Sequence, residues 1–169
     1  IPNLYEHWIA RNMIAYMKAA AGERDRAVML QIINRPKRYI GRECLDERKV
    51  DFERVRRYYE DKYWMIKKID QLESDLFALK RMDPYTAINY IRHGIGYETY
   101  LQEYADYRKI QAEDLFDLLD QLQESAKGFK TTEEWFAHIE EYGQMLKNQN
   151  KKERTAENQV TFSTLHSAK

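Results

Sequence analysis

A chain of 169 residues has room for one domain, or for one domain plus a flap. Its 28 basic and 28 acidic residues cancel, which excludes a bulk attraction to nucleic acid or to a membrane, so either would have to be held by a local patch. Apolar residues at 43% and charged residues at 33% support a core inside a densely charged surface, and only six Gly and three Pro interrupt a composition that favours helix.

Helical periodicity dominates from the first residues. Tyr5, Trp8, Ile9, Met13, Tyr16, Met17 and Ala20 form an apolar stripe on a first helix, which Gly22 can stop. Asp25 is placed to cap a second helix bearing Val28, Met29, Ile32 and Ile33. That helix must end near Asn34 and Arg35, because the residue before Pro36 is pushed out of the α region. A loop reading RPKRYIGRE follows. From about Asp51 a long charged helical region carries Met65, Ile69, Leu72, Leu76 and Leu79 in steps of four and three, the seam of a helix against a partner.

Asp83 and Pro84 make a cap followed by Pro at the first helical position. That helix, with Ile88 and Ile91, is expected to end at Gly94. GIGYETYLQEYA opens another, with Tyr100, Leu101, Tyr104 and Ala105 inward, and Leu115, Leu118, Leu119 and Leu122 give one more, closed by Gly128. Thr131 and Glu134 form a capping box before a helix bearing Trp135, Ile139 and Tyr142. NQNKKERTAENQ reads as a solvated linker over residues 148–159. Val160 to Leu165 then alternate as a short strand whose partners would lie outside the chain. The expected fold class is all-α: an irregular multi-helix domain with helix-hairpin-helix-like loops and one short terminal β-strand.

Several chemistries have no residues to carry them. No G-x-x-x-x-G-K-[ST] is present to cradle phosphates, and no G-x-S-x-G marks a nucleophile turn. His7, His93, His138 and His166 show no metal-ligand spacing with one another or with Cys44, so no metal is expected. Cys44 stands alone, which excludes an internal disulfide and fits a reducing, cytoplasmic setting. No stretch approaches the roughly 20 apolar residues of a membrane span, and there is no signal-peptide pattern. The missing initiator Met reads as the mark of a piece cut from a longer protein.

One loop does carry a pattern. Arg35, Lys37, Arg38 and Arg42 surround Tyr39, Ile40 and Gly41. Gly lets a backbone approach a phosphate closely, a following helix N-terminus offers free N–H groups, and the neighbouring cations supply charge. His93, Gly94, Ile95 and Gly96 repeat the Ile-Gly arrangement with two glycines. The plainer reading of that second loop, with Gly94 as a helix C-cap and Ile95 as a packing residue, stays open.

The chain's last residues, VTFSTLHSAK, resemble the start of motif V of the UvrD/PcrA/Rep-type superfamily 1 DNA helicases, in which a strand leads into T-L-H-x-A/S-K and then G-L-E. Thr164 to Lys169 match the first part of that pattern. ARNMIAYMKAA and DRAVMLQIINRPKRYIGRECL are similar to the family's helix and its N-x-P-x-R-G-I-G-x-x-T-L element, and YIRHGIGYETYLQEYA resembles a later segment. The family's first Gly of G-I-G is Tyr39 here, and its usual Asp in the first helix is Asn12.

The resemblance implies that residues 1–20 are an edge of motor domain 2A, 21–147 a helical 2B-like insertion, 148–159 a polar linker, and 160–169 the start of motif V. The first helix and the terminal strand would then lie side by side. It implies that Thr164 and His166 sit on the single-stranded DNA track. It also implies that Arg35 to Arg42, with Gly94, Ile95 and Gly96, touch duplex DNA. The expected partners are duplex and single-stranded DNA and the remaining helicase domains, without a membrane. No cofactor is expected in the chain itself, with ATP and Mg belonging to the parent helicase. The competing reading is a helical protein-interaction or autoinhibitory module without direct DNA contact.

Overall fold

The computed structural model describes residues 2–167, those from 162 onward by backbone alone. The fold is all-α. Eight α-helices follow one another among the described residues: α1 (Trp8–Ala20), α2 (Arg26–Ile32), α3 (Phe52–Tyr58), α4 (Tyr63–Leu79), α5 (Pro84–Asn89), α6 (Tyr97–Arg108), α7 (Ala112–Ser125) and α8 (Thr132–Ser167). The only extended pairing among these residues is one antiparallel bridge between Asp25 and Lys49. None of the helices is long and apolar enough to cross a membrane.

The organising helix is α1. It packs against α2, α4 and α7, and Ile9, Ala10, Met13, Ala15, Tyr16, Met17, Ala19 and Ala20 are all buried. The sequence reads as a stripe, but the alanines between the large residues let neighbours close in on the other sides as well. On α4, Met65, Ile69, Leu72, Leu76 and Leu79 are buried as the four-three spacing predicts. The charged region ahead of it is not one helix. It breaks after α3, where Tyr59 turns its ring into the core.

The expected punctuation is present. Gly22 and Gly128 take positive φ just past helix ends. The Asp83 carboxylate accepts from the backbone N–H of Thr86 at 2.9 Å, and Thr131 Oγ1 accepts from that of Glu134 at 3.2 Å. Asp25 occupies the N-cap position of α2 but makes no side-chain cap. The helix with Ile88 and Ile91 does not stop at Gly94. It widens into a π-turn over Tyr90–Ile95 and ends at Gly96, at φ 96°. A buried carboxylate braces this turn: Asp75 of α4 accepts from the Tyr90 hydroxyl at 2.7 Å and from Gln71 Nε2 at 3.0 Å. That hydrogen bond, with burial, pushes the Tyr90 phenol up to about 12. A raised phenol pKa means that the contribution is whole below pH 10 and fades as pH climbs through about 12.

The C-terminal third corrects the sequence reading. Residues 148–159 are not an irregular linker, and Val160 to Leu165 are not a strand; both continue α8. Residues 148–159 hold no apolar residue but Ala156, yet they also lack Gly and Pro and are rich in Lys, Glu, Gln and Arg, which are good helix formers. Once the turns around Trp135 are nucleated by packing, adding residues costs little. Trp135 is fully buried, edge-on to Tyr5 at 6.1 Å, and Tyr142 lies edge-on to the same ring at 5.5 Å. Every residue from Lys147 to Thr161 is exposed. The N-terminal segment therefore lies beside the first half of α8. The helix runs on from Gly143 to Ser167 for roughly 36 Å at about 1.5 Å per residue. The two ends do not adjoin as expected.

Replacing a seam residue should separate core from surface on one helix. Leu76→Ala is expected to cost about 3 kcal/mol in urea unfolding. Its exposed neighbour Phe77→Ala should stay within about 0.5 kcal/mol.

Candidate nucleic-acid interface

The first Ile-Gly loop is built on the end of α2. Helix ends leave carbonyls without partners, and no Gly follows α2 to close it. Arg38 does so instead. Its guanidinium donates to the carbonyls of Ile32 at 2.7 Å and Ile33 at 3.0 Å, and to the Tyr16 hydroxyl at 2.9 Å. Only 7% of Arg38 is exposed. Asn34 folds the loop back on itself. Its Oδ1 accepts from the backbone N–H of Arg38 and Ile40, and its Nδ2 donates to the Ile40 carbonyl at 2.8 Å. Ile40 is buried.

Arg35 also turns inward. Its Nη1 donates to Asn12 Oδ1 at 3.2 Å, and its guanidinium lies 5.9 Å from the Trp8 ring centre. Of the four cations in the pattern, Arg35 and Arg38 hold the loop, and Lys37 and Arg42 face solvent. Charge density along the chain carries no sign of that division.

Gly41 differs from its expected role. It takes φ −71° and ψ 145°, ordinary extended backbone. Its N–H donates to the Tyr59 hydroxyl at 2.8 Å. The space beside its Cα is filled by the Glu43 carboxylate, which would collide with a Cβ there. The chain then enters a three-residue 3-10 turn, Arg42–Cys44, rather than a helix. No helix N-terminus is therefore presented at this point. The left-handed residue of the loop is Tyr39, at φ 61°, where the resembling pattern has glycine. Its ring is 72% exposed and lies 4.9 Å beneath Lys68 Nζ of α4.

That contact joins the loop to residues the sequence reading passed over. The first turns of α4 expose Tyr63, Trp64 and Lys67, and Lys68 lies half-buried at the flank of the Met65, Ile69 and Leu72 seam. Lys67 lies 5.7 Å from the Tyr63 ring centre, one helical turn on. KYWMIKKID does hold the signal, aromatic and cationic pairs four residues apart and off the apolar stripe. Its proximity to Tyr39 is a tertiary fact.

The second loop is anchored differently. Gly94 lies under the Tyr90 ring, where a Cβ would come within 2.9 Å of ring carbons. Ile95 packs against the core. Gly96 begins α6, but the helix carries its own anion there. Glu98 accepts from Arg92 Nε at 2.7 Å and lies 3.3 Å from His93 Nε2. A carboxylate in the first turn already answers the helix dipole. Arg92 is buried, held also by Asp120 and Gln123. The two loops meet through Asn12, whose Oδ1 accepts from the Tyr97 hydroxyl at 2.7 Å as well as from Arg35. Thr164 and His166 lie on α8, and their side chains fall outside the described residues.

Arg38→Ala should therefore act on folding, costing about 3 kcal/mol by leaving buried carbonyls without donors. Tyr39→Gly should gain about 1 kcal/mol by removing a side chain from left-handed backbone. Urea unfolding of both variants checks the pair, and opposite signs are expected.

A family model described as the UvrD-like helicase C-terminal domain matches residues 3–169. No curated protein and no solved structure matches the chain.

Proposed function

The chain belongs to the UvrD-like helicase C-terminal domain family, and from that membership we propose that it serves a DNA helicase as a 2B-like accessory domain. It lies against duplex DNA near the unwinding junction. The observation that carries this reading is the surface made by the Tyr39 loop and the edge of α4. Lys37, Arg42, Lys67 and Lys68 lie on these two neighbouring elements, and among the described residues none of them is ion-paired to a carboxylate. Free cations on neighbouring elements can neutralise phosphates and release counterions, which is the main source of affinity without sequence choice.

Arg35 and Arg38 support this surface from behind. The second loop, with Gly94, Ile95 and Gly96, holds its neighbour in place through Asn12, and its Arg92 is already paired with Glu98 and Asp120. ATP and Mg belong in this reading to the parent helicase. The chain has no Lys-bearing phosphate loop, and phosphoryl transfer depends on such positioning.

Anisotropy with a labelled hairpin duplex tests the proposal. Binding should fall in the roughly micromolar to hundred-micromolar range, with a log–log salt slope of about −3 to −4. Lys37→Ala and Lys68→Ala should each weaken binding to every duplex sequence and flatten the slope by about one unit. A Lys37→Ala/Lys68→Ala variant that binds as well as the unaltered chain would remove this surface and leave the protein-interaction reading. The purified chain should show no DNA-stimulated ATP hydrolysis.

A further inference from the structure

Three rings beside the free lysines are exposed without need for folding. Tyr39 is 72% exposed, Tyr63 69% and Trp64 54%. The Tyr63 and Trp64 rings meet edge to face, 5.9 Å between centres. Among the described residues no other ring packs against Trp64. One turn beyond each ring stands a lysine, Lys67 after Tyr63 and Lys68 after Trp64. Lys68 also covers Tyr39 of the loop. The surface thus alternates ring and cation.

That alternation selects the occupant. The centre of a protein–protein interface is enriched in aromatic residues but depleted in Lys. Here Lys62, Lys67 and Lys68 interleave with the rings, and residues 62–68 contain no acid. Paired bases inside a duplex present only edges and phosphates, so they give an exposed indole face nothing to stack on. An unpaired nucleotide offers both a π-face for the ring and a phosphate for the lysine one turn away. We propose that Trp64, flanked by Tyr63 and Lys68, is a platform for one unpaired base at the edge of the duplex. The DNA bound best is then a junction rather than a blunt duplex. This rests on the duplex reading above and adds the substrate feature that distinguishes one DNA end from another.

The test compares a blunt hairpin, the same hairpin bearing a short single-stranded tail, and the bare single strand. Each is titrated against the unaltered chain, Trp64→Ala and Trp64→Phe. The unaltered chain should prefer the tailed hairpin over the blunt one by about tenfold, the size expected of one stacked base. Trp64→Ala should lose that preference and keep its blunt-hairpin affinity and salt slope. Trp64→Phe should retain most of the preference. Because Trp64 is more than half exposed, both variants should unfold in urea as the unaltered chain does. Equal binding of tailed and blunt hairpins by the unaltered chain overturns the platform and leaves the duplex reading standing. A preference that survives Trp64→Ala overturns it as well. Bare single strand bound as tightly as the tailed hairpin removes the junction. Failure to bind the blunt hairpin at low salt overturns the duplex reading itself.

Discussion

One oxygen atom sets the relation between the two loops. Asn12 is 1% exposed in the middle of α1, and its Oδ1 accepts from Tyr97 and from Arg35 at once. Arg35 can only donate, so the amide must turn its oxygen toward it. Tyr97 follows Gly96 directly, and Arg35 precedes the Tyr39 loop, so both Ile-Gly segments are referenced to the same helix. The resembling pattern has Asp at this position. A carboxylate there would bring a buried charge with a large desolvation cost, to be met by its arginine. The amide gives the same geometry without it. Losing one partner leaves a buried polar group unpaired, which is why a single side chain can hold two distant segments in register.

The same logic explains why half of the loop's positive charge is unavailable to a ligand. Helix α2 ends without a glycine, and its last carbonyls lie under the loop that follows. A guanidinium with five donors can satisfy two carbonyls and a hydroxyl together, and Arg38 does this. Lysine, as a compact point charge, suits the opposite task and remains at the surface at Lys37, Lys67 and Lys68. The loop is a mount whose inner arginines fix its shape and whose outer cations, Lys37 and Arg42, stay exposed.

Much of the helical frame is legible in the sequence because it rests on local rules. The seam of α4, the Asp83 cap with Pro84, and the turns at Gly22 and Gly128 each depend on residues a few positions apart. The direction of a side chain across a loop does not. Nothing in RPKRYIGRE distinguishes Arg38 from Lys37, because the difference is made by Tyr16 of α1 and by the end of α2. The closed backbone at Gly41 is hidden for a related reason, since Tyr59 reaches it from another segment and the Glu43 side chain folds back over it from two residues on. Residues 148–165 mislead in another way. Over 148–159 a scarcity of apolar residues reads as absence of structure, and over 160–165 alternation reads as a strand. Yet a strand without a partner leaves its ladder unpaired, whereas a helix satisfies its own backbone. Trp64 and its lysines are visible as a pattern, but only their placement against Tyr39 gives the pattern a use.

The net charge of zero then takes on a different meaning. Residues 35–42 and 62–68 contribute Arg35, Lys37, Arg38, Arg42, Lys62, Lys67 and Lys68, with no acid among them. Along α6 and α7 the balance reverses. Glu98, Glu103, Asp106, Glu113, Asp114, Asp117, Asp120 and Glu124 are set against Arg108 alone within those helices. A chain that is neutral in sum but divided in this way has an electrostatic direction. Exposed charges further apart than about 8 Å are screened at physiological salt, so each face acts on what is near it. In the reading proposed above, a polyanion would be drawn to the cations of the Tyr39 loop and the start of α4 and not to the acids of α6 and α7. Such a division contributes little to affinity, but it favours one orientation of approach over the others. Under the proposed reading, an accessory domain that meets DNA on one side is served better by that asymmetry than by a uniformly basic surface.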